Sequence, residues 1–156
     1  SKIPISITYR PSIGGDDKKM KTHSKEITFS TNSPKEIIDM TDEVMSVARE
    51  SEIENGILVA QLPHATAMLV LNENESGVKK DLLNKLDDFA PPQAGYKHDR
   101  IDNNAHAHLK AALVGSSRVL PIIDGKVVKG TWQSFLVIEQ DGPRTRRTLS
   151  VLIMGE

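Results

Sequence analysis

Four of the five histidines of this chain lie in polar, turn-rich stretches where side chains can do chemistry: His64, His98, His106 and His108. Neutral imidazole binds metals such as zinc, and it also exchanges a proton near neutral pH. The chain has no cysteine, so a metal would be held by histidine, carboxylate, backbone or water. His98, His106 and His108 form the densest group and are the candidate metal ligands. The alternative is that these histidines are solvated or cap a helix.

The spacing of His106 and His108 restricts what the pair can do. On a strand the two side chains would face the same way, whereas on an α-helix they would point about 200° apart. Because a helix is predicted to begin near Asn104, both can bind one ion only if His106 precedes regular helical geometry. Otherwise one histidine binds the metal and the other contacts the substrate.

A group of arginines near the C-terminus could bind phosphate. Arg144 and Arg146 would share a face if the chain is extended there, and guanidinium groups bind phosphate through two parallel hydrogen bonds. Glu139 and Asp141 could instead orient these arginines. The alternative is a hairpin tip with mixed surface charge, and spacing alone favours that interpretation.

Two further positions could contribute to a site. Ser116 lies in a Gly-Ser-Ser stretch that offers hydroxyls and backbone amides to an anion. Glu73 follows an apolar strand, where a carboxylate could be a metal ligand or a general base. Taken alone, Glu73 is better explained as a surface acid, as is Glu75.

The elements that must position these residues are predicted from periodicity and turn residues. Apolar runs and turns predict strands at 23–30, 57–62, 67–71, 119–123, 126–129, 131–140 and 147–154. Helical spacing predicts helices from 33 to about 50–54, at 77–89 and at 104–114. A capping box of Ser33 and Glu36, with Pro34 between them, would begin the first helix. The unbroken apolar runs 57–62 and 67–71 are typical of strands covered on both faces.

The order of these elements indicates the fold class. It does not repeat β-α-β, so a doubly wound parallel sheet is not expected. We predict an α/β chain of the α+β type, with a mixed or antiparallel sheet packed with about three helices. Residues 23–156 would form this single compact domain. Residues 1–22 would be an N-terminal extension, which is either flexible or an arm that docks on a neighbouring subunit.

Composition excludes several classes of partner. The formal net charge of −1 over 156 residues gives no broad attraction to nucleic acid or to an anionic membrane. No segment approaches the length of a membrane span, and the N-terminus lacks the order of a signal peptide. We therefore expect a cytoplasmic protein without nucleic-acid or membrane partners.

Several short motifs together resemble the secondary thiamine-phosphate synthase (YjbQ-like) family in order and spacing. They are Pro63-His64-Ala65-Thr66-Ala67, Asn72-Glu73-Asn74, Tyr96-Lys97-His98, Asp102-Asn103-Asn104-Ala105-His106-Ala107-His108-Leu109, Gly115-Ser116-Ser117, Gly130-Thr131-Trp132-Gln133 and Glu139-Gln140-Asp141-Gly142-Pro143-Arg144-Thr145-Arg146. The resemblance covers roughly residues 23–156. Ala65 departs from it, since the family usually has threonine there, and residues 1–22 have no counterpart.

The resemblance implies a compact α/β fold that assembles as a homotrimer, with a histidine-rich and acidic pocket shared between subunits. It implies a divalent metal ion, with zinc expected, on His98, His106 and also His108 if geometry allows. The implied activity is thiamine-phosphate synthesis, which couples a pyrimidine pyrophosphate to a thiazole phosphate. In that reaction Arg144, Arg146, Ser116 and Asn103 would bind the phosphorylated substrate. Glu73 would be a ligand or base, and His64 and Gln133 would orient the substrate.

Two classes of function remain open at this point. The first is a metal-dependent enzyme acting on a small phosphorylated molecule. The second is a module that binds an anionic metabolite without catalysis, and turnover would distinguish the two. A purely structural role for the histidines, which predicts that they can be replaced at a cost in stability only, is the third.

Overall fold

The computed structural model describes residues 19–156, which fold into eight strands and three α-helices with one short 3-10 helix. The strands are β1 (Lys21–Phe29), β2 (Glu36–Asp39), β3 (Gly56–Gln61), β4 (Ala67–Asn72), β5 (Ser117–Ile123), β6 (Lys126–Val127), β7 (Ser134–Glu139) and β8 (Arg147–Gly155). The α-helices are α1 (Thr41–Ser51), α2 (Ser76–Phe89) and α3 (Ala105–Val114), and the 3-10 helix is Lys97–Arg100.

The strands form two antiparallel sheets. The larger has the order β1-β8-β3-β5-β6 and the smaller has the order β2-β7-β4. Every strand pair is antiparallel. The prediction of an α+β chain with a mixed or antiparallel sheet and about three helices is therefore confirmed, and the strands are divided between two sheets. Most of the predicted N-terminal arm lies outside the described residues, and β1 begins at Lys21.

The first helix begins later than the capping box predicted, which corrects that prediction. Residues Glu36–Asp39 form β2, which pairs with β7 so that Ile37 lies opposite Ile138. The helix starts at Thr41, whose backbone N–H donates to Asp39 Oδ1 at 2.9 Å. Glu36 accepts a hydrogen bond from the backbone N–H of Asn32 at 2.7 Å, so it closes a turn. Strand pairing with β7 outweighs the local helix signal because it adds this segment to the smaller sheet as an edge strand, in which Ile37 and Ile38 are partly buried.

Apolar side chains fill the space between the two sheets. Leu58 of β3 and Leu149 of β8 meet Leu69 of β4 and Phe135 of β7, and all four are fully buried. The opposite face of the smaller sheet packs against α2 and α3 through a second cluster: Met68, Leu86, Ala111 and Ile138. The smaller sheet is thus covered on both faces.

The prediction of two-sided burial is correct for β4 and only half correct for β3. Met68 and Leu69 point to opposite faces of β4, and both are fully buried. In β3, Leu58 and Ala60 are fully buried, whereas Ile57 and Val59 on the other face are only partly covered. The apolar run of β3 is unbroken because Ile57 and Val59 are also apolar, although solvent reaches their face of the strand.

The two later helices begin and end where the sequence predicts. Glu75 begins α2, because its carboxylate accepts from the backbone N–H groups of Gly77 and Val78 at 2.7 and 2.8 Å. Gly115, with a φ of 93°, ends α3. Within residues 19–156 no helix has the length and apolar character needed to cross a membrane. α3 packs on β4 and carries two of the candidate histidines.

Candidate functional site

A buried lysine organises the polar groups around α3. Lys110 has no exposed surface. Its Nζ lies 2.6 Å from Asp87 Oδ1, 2.9 Å from His106 Nδ1 and 3.0 Å from Gln140 Oε1. Lys35 contacts the other oxygen of Asp87 from the solvent side. The network therefore contains two ammonium groups and one carboxylate, an arrangement with surplus positive charge.

The charges of this network follow from its burial. Burial lowers the pKa of His106, and the Lys110 ammonium beside it lowers that pKa further. Burial also lowers the pKa of Lys110, although its hydrogen bond to Asp87 opposes this change. Burial alone would raise the pKa of Asp87, but hydrogen bonds from Lys110 and Lys35 outweigh it and lower that pKa. The lowered pKa of His106 favours its neutral form.

Two of the candidate metal ligands lie side by side. The ring centroids of His98 and His108 are 4.7 Å apart, with the rings edge to face. His98 Nε2 is enclosed and has no hydrogen-bond partner among the described residues. His98 comes from the 3-10 helix and His108 from the first turn of α3.

The helical geometry separates His106 from His108, as their spacing predicted. Both residues are in regular helix, with His106 buried at 8% exposure and His108 half-buried on another face. Within the part of the chain that the structure describes, no three His, Cys, Asp or Glu side chains are grouped closely enough to hold a metal ion. The three-histidine metal site stays a prediction.

His64, His108 and Ser116 line one groove with a volume of about 460 Å³, together with Ala65 and Leu109. His64 Nε2 lies 2.9 Å from the backbone nitrogen of Thr148 and 3.2 Å from its carbonyl oxygen, so both backbone polar groups of Thr148 face this ring nitrogen. Burial lowers the pKa of His64, as does the nearby charge of Arg147. The groove thus brings two of the predicted substrate-contacting residues beside one predicted metal ligand.

The predicted phosphate-binding arginines lie on the loop between β7 and β8. Arg144 Nη2 donates to Asp141 Oδ2 at 2.6 Å, and Asn104 Nδ2 donates to the same oxygen at 2.8 Å. Burial would raise the pKa of Asp141, but these hydrogen bonds lower it overall. Asp141 thus orients Arg144 next to the start of α3, as one of the sequence interpretations proposed. Arg146 is exposed.

Glu73 and Gln133 lie far from the histidines within one chain. Asn72 pairs with Ser134, and Ala67 pairs with Glu139, so Glu73 and Gln133 flank one end of the smaller sheet. The Lys110 network lies at the other end, where Gln140 follows β7. A strand of this length spans about 17 Å at about 3.3 Å per residue. Asn103 is exposed and has a φ of 54°, just before α3.

The sequence interpretation missed Lys110, Asp87 and Gln140. One signal was available, because Lys110 follows His106 by four residues and so lies on the same face of α3. A lysine on the buried face of a helix needs a carboxylate partner. The partner could not be identified from sequence, because Asp87 is 23 positions away and on another helix.

Comparisons with known proteins agree on one family. Residues 25–156 match the family model described as UPF0047 protein YjbQ-like. A UPF0047 protein of Archaeoglobus fulgidus is 48% identical over 124 residues, covering 80% of this chain and 96% of the relative. The UPF0047 protein YugU of Bacillus subtilis is 37% identical over 133 residues, covering 84% of this chain and 98% of the relative.

Solved structures show the same fold. A YbjQ-like protein of unknown function from Sulfolobus solfataricus superimposes with a TM-score of 0.87 at 43% identity, covering 88% of this chain and 100% of that one. A hypothetical protein of Aeropyrum pernix superimposes with a TM-score of 0.82 at 36% identity, covering 85% and 98%. None of these four proteins carries a name that states an activity.

Proposed function

This chain belongs to the YjbQ-like family, and we propose that it is a metal-dependent enzyme acting on a small phosphorylated molecule. The observation that carries the proposal is the histidine pair. His98 and His108 have ring centroids 4.7 Å apart, and the enclosed Nε2 of His98 has no partner among the described residues. An enclosed imidazole nitrogen beside a second imidazole suits a divalent ion, and zinc is the ion that we expect.

Two histidines are fewer than the three protein ligands of a typical catalytic zinc site. We propose that a neighbouring subunit supplies a further ligand, for which Glu73 is the candidate, and that water or substrate oxygen completes the shell. Glu73 lies at the opposite end of the smaller sheet from the histidines, so it would reach them from another copy of the chain.

Exposed apolar side chains support assembly into a homotrimer. Five of them lie on α3, on β5 and in the loop before β7, and we propose that they contact neighbouring subunits together as what we call the α3–β5 surface: Leu109, Leu113, Val119, Ile123 and Trp132. Leu113 and Trp132 are 62% and 73% exposed, which is unusual for large apolar residues unless they contact a partner. The groove lined by His64, His108 and Ser116 also includes Leu109, so assembly would bring another subunit near the site.

The residues around the histidines suit a substrate with phosphate groups. A divalent ion here would offset negative charge on a phosphate or pyrophosphate leaving group. Arg144, oriented by Asp141, would bind phosphate oxygens, and the exposed Arg146 would assist. Ser116 and His64 would contact the substrate in the groove.

Coupling a pyrimidine pyrophosphate to a thiazole phosphate is the first reaction that we propose to test. In that reaction the pyrophosphate leaves as a dianionic or more highly charged group, so it needs cationic partners. Gln133, which is exposed, would orient the substrate from across the subunit interface, whereas Asn103, exposed just before α3, would contact its phosphate group within the same chain.

A second candidate is a module that binds an anionic metabolite without catalysis. The observation that favours it is the surplus positive charge of Lys35 and Lys110 around the single carboxylate of Asp87. Such a site attracts an anion whether or not a metal is present.

The experiment is elemental analysis of protein purified without a histidine tag, followed by turnover assays with pyrophosphates and phosphate esters. About one zinc or similar ion per chain, with release of pyrophosphate or phosphate, supports the enzyme. A wild-type protein that stays metal-free when metal is supplied rules the metal-dependent enzyme out and favours the binding module.

A further inference from the structure

The hydrogen bonds of Lys110 determine which nitrogen of His106 carries the proton. An ammonium group has three N–H donors and no lone pair. The three acceptors of Lys110 are Asp87 Oδ1, Gln140 Oε1 and His106 Nδ1, all within 3.0 Å. His106 must therefore present a lone pair at Nδ1.

The other ring nitrogen of His106 must then be an N–H donor. In a neutral imidazole the proton that is absent from one nitrogen is on the other. Within residues 19–156, His106 Nε2 makes no hydrogen bond. This nitrogen is not fully enclosed by the protein, so it reaches solvent. A histidine that binds a metal normally donates its second N–H to an acceptor. Lys110 offers no acceptor, so its hydrogen bond opposes metal binding by His106.

The same ammonium group orients a second donor. Gln140 is 2% exposed, and its Oε1 accepts from Lys110, so its amide nitrogen is directed away from the lysine. That Nε2 is enclosed and has no hydrogen-bond partner among the described residues. A buried donor without an acceptor is destabilising, so an acceptor from outside the chain is expected.

We propose that Lys110 is a positioning residue that holds His106 with its proton on Nε2, so that His106 donates a hydrogen bond to an anionic oxygen of the ligand, while the same ammonium group orients the buried amide of Gln140. His106 then binds the phosphate or pyrophosphate group of the substrate, and the metal is left to His98 and His108. The identity of the ligand rests on the proposed function, whereas the proton position rests only on the contacts of Lys110.

The proton position can be measured without metal or substrate. Nitrogen-15 NMR of metal-free protein with labelled histidine distinguishes a protonated ring nitrogen from an unprotonated one, and His106→Gln identifies the His106 signals. We expect His106 to carry its proton on Nε2 in the wild type and in Lys35→Met, which removes the other ammonium group on Asp87. Lys110→Met should change or mix the tautomer. A wild-type His106 protonated at Nδ1 would overturn the proposal even if Lys110→Met fails to fold.

The donor role is measured by calorimetric titration with inorganic pyrophosphate. His106→Ala should weaken binding by about tenfold or more, as expected for one hydrogen bond to a charged group. His106→Gln should bind within about threefold of the wild type, because glutamine offers both an acceptor for Lys110 and an N–H donor. A wild type that does not bind pyrophosphate, or a His106→Gln that binds as weakly as His106→Ala, overturns the donor role.

Measuring the metal content distinguishes a failure of this proposal from a failure of the proposed metal-dependent enzyme. Zinc per chain should be unchanged in His106→Gln, and its loss there would show that His106 is a metal ligand. If the wild type binds pyrophosphate but no metal, the donor role stands and the metal-dependent enzyme does not.

Discussion

Glu139 and Arg147 form a buried ion pair that joins the two sheets. Arg147 Nε lies 2.9 Å from one carboxylate oxygen of Glu139, and Nη2 lies 2.9 Å from the other. Glu139 ends β7 of the smaller sheet and Arg147 begins β8 of the larger one. Burial raises the pKa of Glu139, and the Arg147 guanidinium opposes that rise. The pair fixes both ends of the loop that carries Asp141 and Arg144.

Removing one partner of this pair should destabilise the fold strongly. Arg147→Met would leave the carboxylate of Glu139 buried and unpaired, which costs about 3–5 kcal/mol of the free energy of unfolding. The exposed Arg146 is the control, and Arg146→Met should change stability by less than about 0.5 kcal/mol. Urea denaturation measures both variants. The double variant Glu139→Leu with Arg147→Met should recover much of the loss, and a loss below about 1 kcal/mol in Arg147→Met would contradict the prediction.

The two lysines that contact Asp87 should differ in their contribution to stability. Lys110 is fully buried, so Lys110→Met leaves one oxygen of Asp87, the Nδ1 of His106 and the Oε1 of Gln140 without a donor and should cost about 3 kcal/mol or more. The side chain of Lys35 is 28% exposed, and Lys35→Met should cost less than about 1 kcal/mol. Urea denaturation measures the free energy of unfolding of both variants. If both lose the same amount of stability, the buried network is not organised by Lys110.

Stability of the metal-free protein should fall as the pH drops below about 6.5. The pKa values of His64 and His106 lie below the ordinary value of 6.5 in the folded protein. Below pH 6.5 the unfolded chain takes up protons that the folded chain does not, so the unfolded state is favoured. Each histidine contributes at most about 1.4 kcal/mol per pH unit.

Denaturation between pH 8 and pH 5 tests this effect. The carboxyl groups of Asp87 and Asp141 have pKa values below 3.8, so their contribution is lost only at lower pH. His106→Gln should reduce the slope of the free energy of unfolding against pH, because glutamine does not titrate. A slope that is the same in the wild type and in this variant would mean that His106 does not contribute.

Metal binding should depend on His98 and His108. His98→Ala and His108→Ala should each lose most of the bound ion, because each removes one of two adjacent imidazoles. His23, on β1, is the control, and His23→Ala should keep its metal. Elemental analysis per chain gives the answer, and full metal content in either site variant contradicts the ligand assignment.

Assembly should depend on the α3–β5 surface. Leu113→Asp places a charge on an exposed apolar position and should convert a trimer to smaller species in light-scattering measurements. Phe89 is exposed at the end of α2, outside this surface, so Phe89→Asp should leave the assembly unchanged. If both variants remain trimers, the subunit contact lies elsewhere.

Local patterns predicted most of the secondary structure. The strands on either side of the Asp124-Gly125 turn, the end of the helix at 114 and the runs that form β3 and β4 were predicted because each signal lies within a few residues. The helix start at Ser33 was wrong because a turn and a capping box use the same residue types. The distant pairing of Ile37 with Ile138 decided between them.

The types of the site residues were also apparent in the sequence, whereas their partners were not. His98, His106 and His108 were identified by residue type and density alone. That His98 and His108 are adjacent while His106 turns inward follows from the packing of α3 on the smaller sheet.

The sequence by itself determined the α+β class with a mixed or antiparallel sheet, the family resemblance and the density of histidines in polar stretches. Only the tertiary structure decided the contact between Lys110 and His106 and the ion pair between the two sheets. Lys110 contacts Gln140, which is 30 positions away, and the Glu139–Arg147 pair joins the end of β7 in the smaller sheet to the start of β8 in the larger one. A buried charge must have a partner, but sequence spacing does not reveal which distant group the fold brings to it.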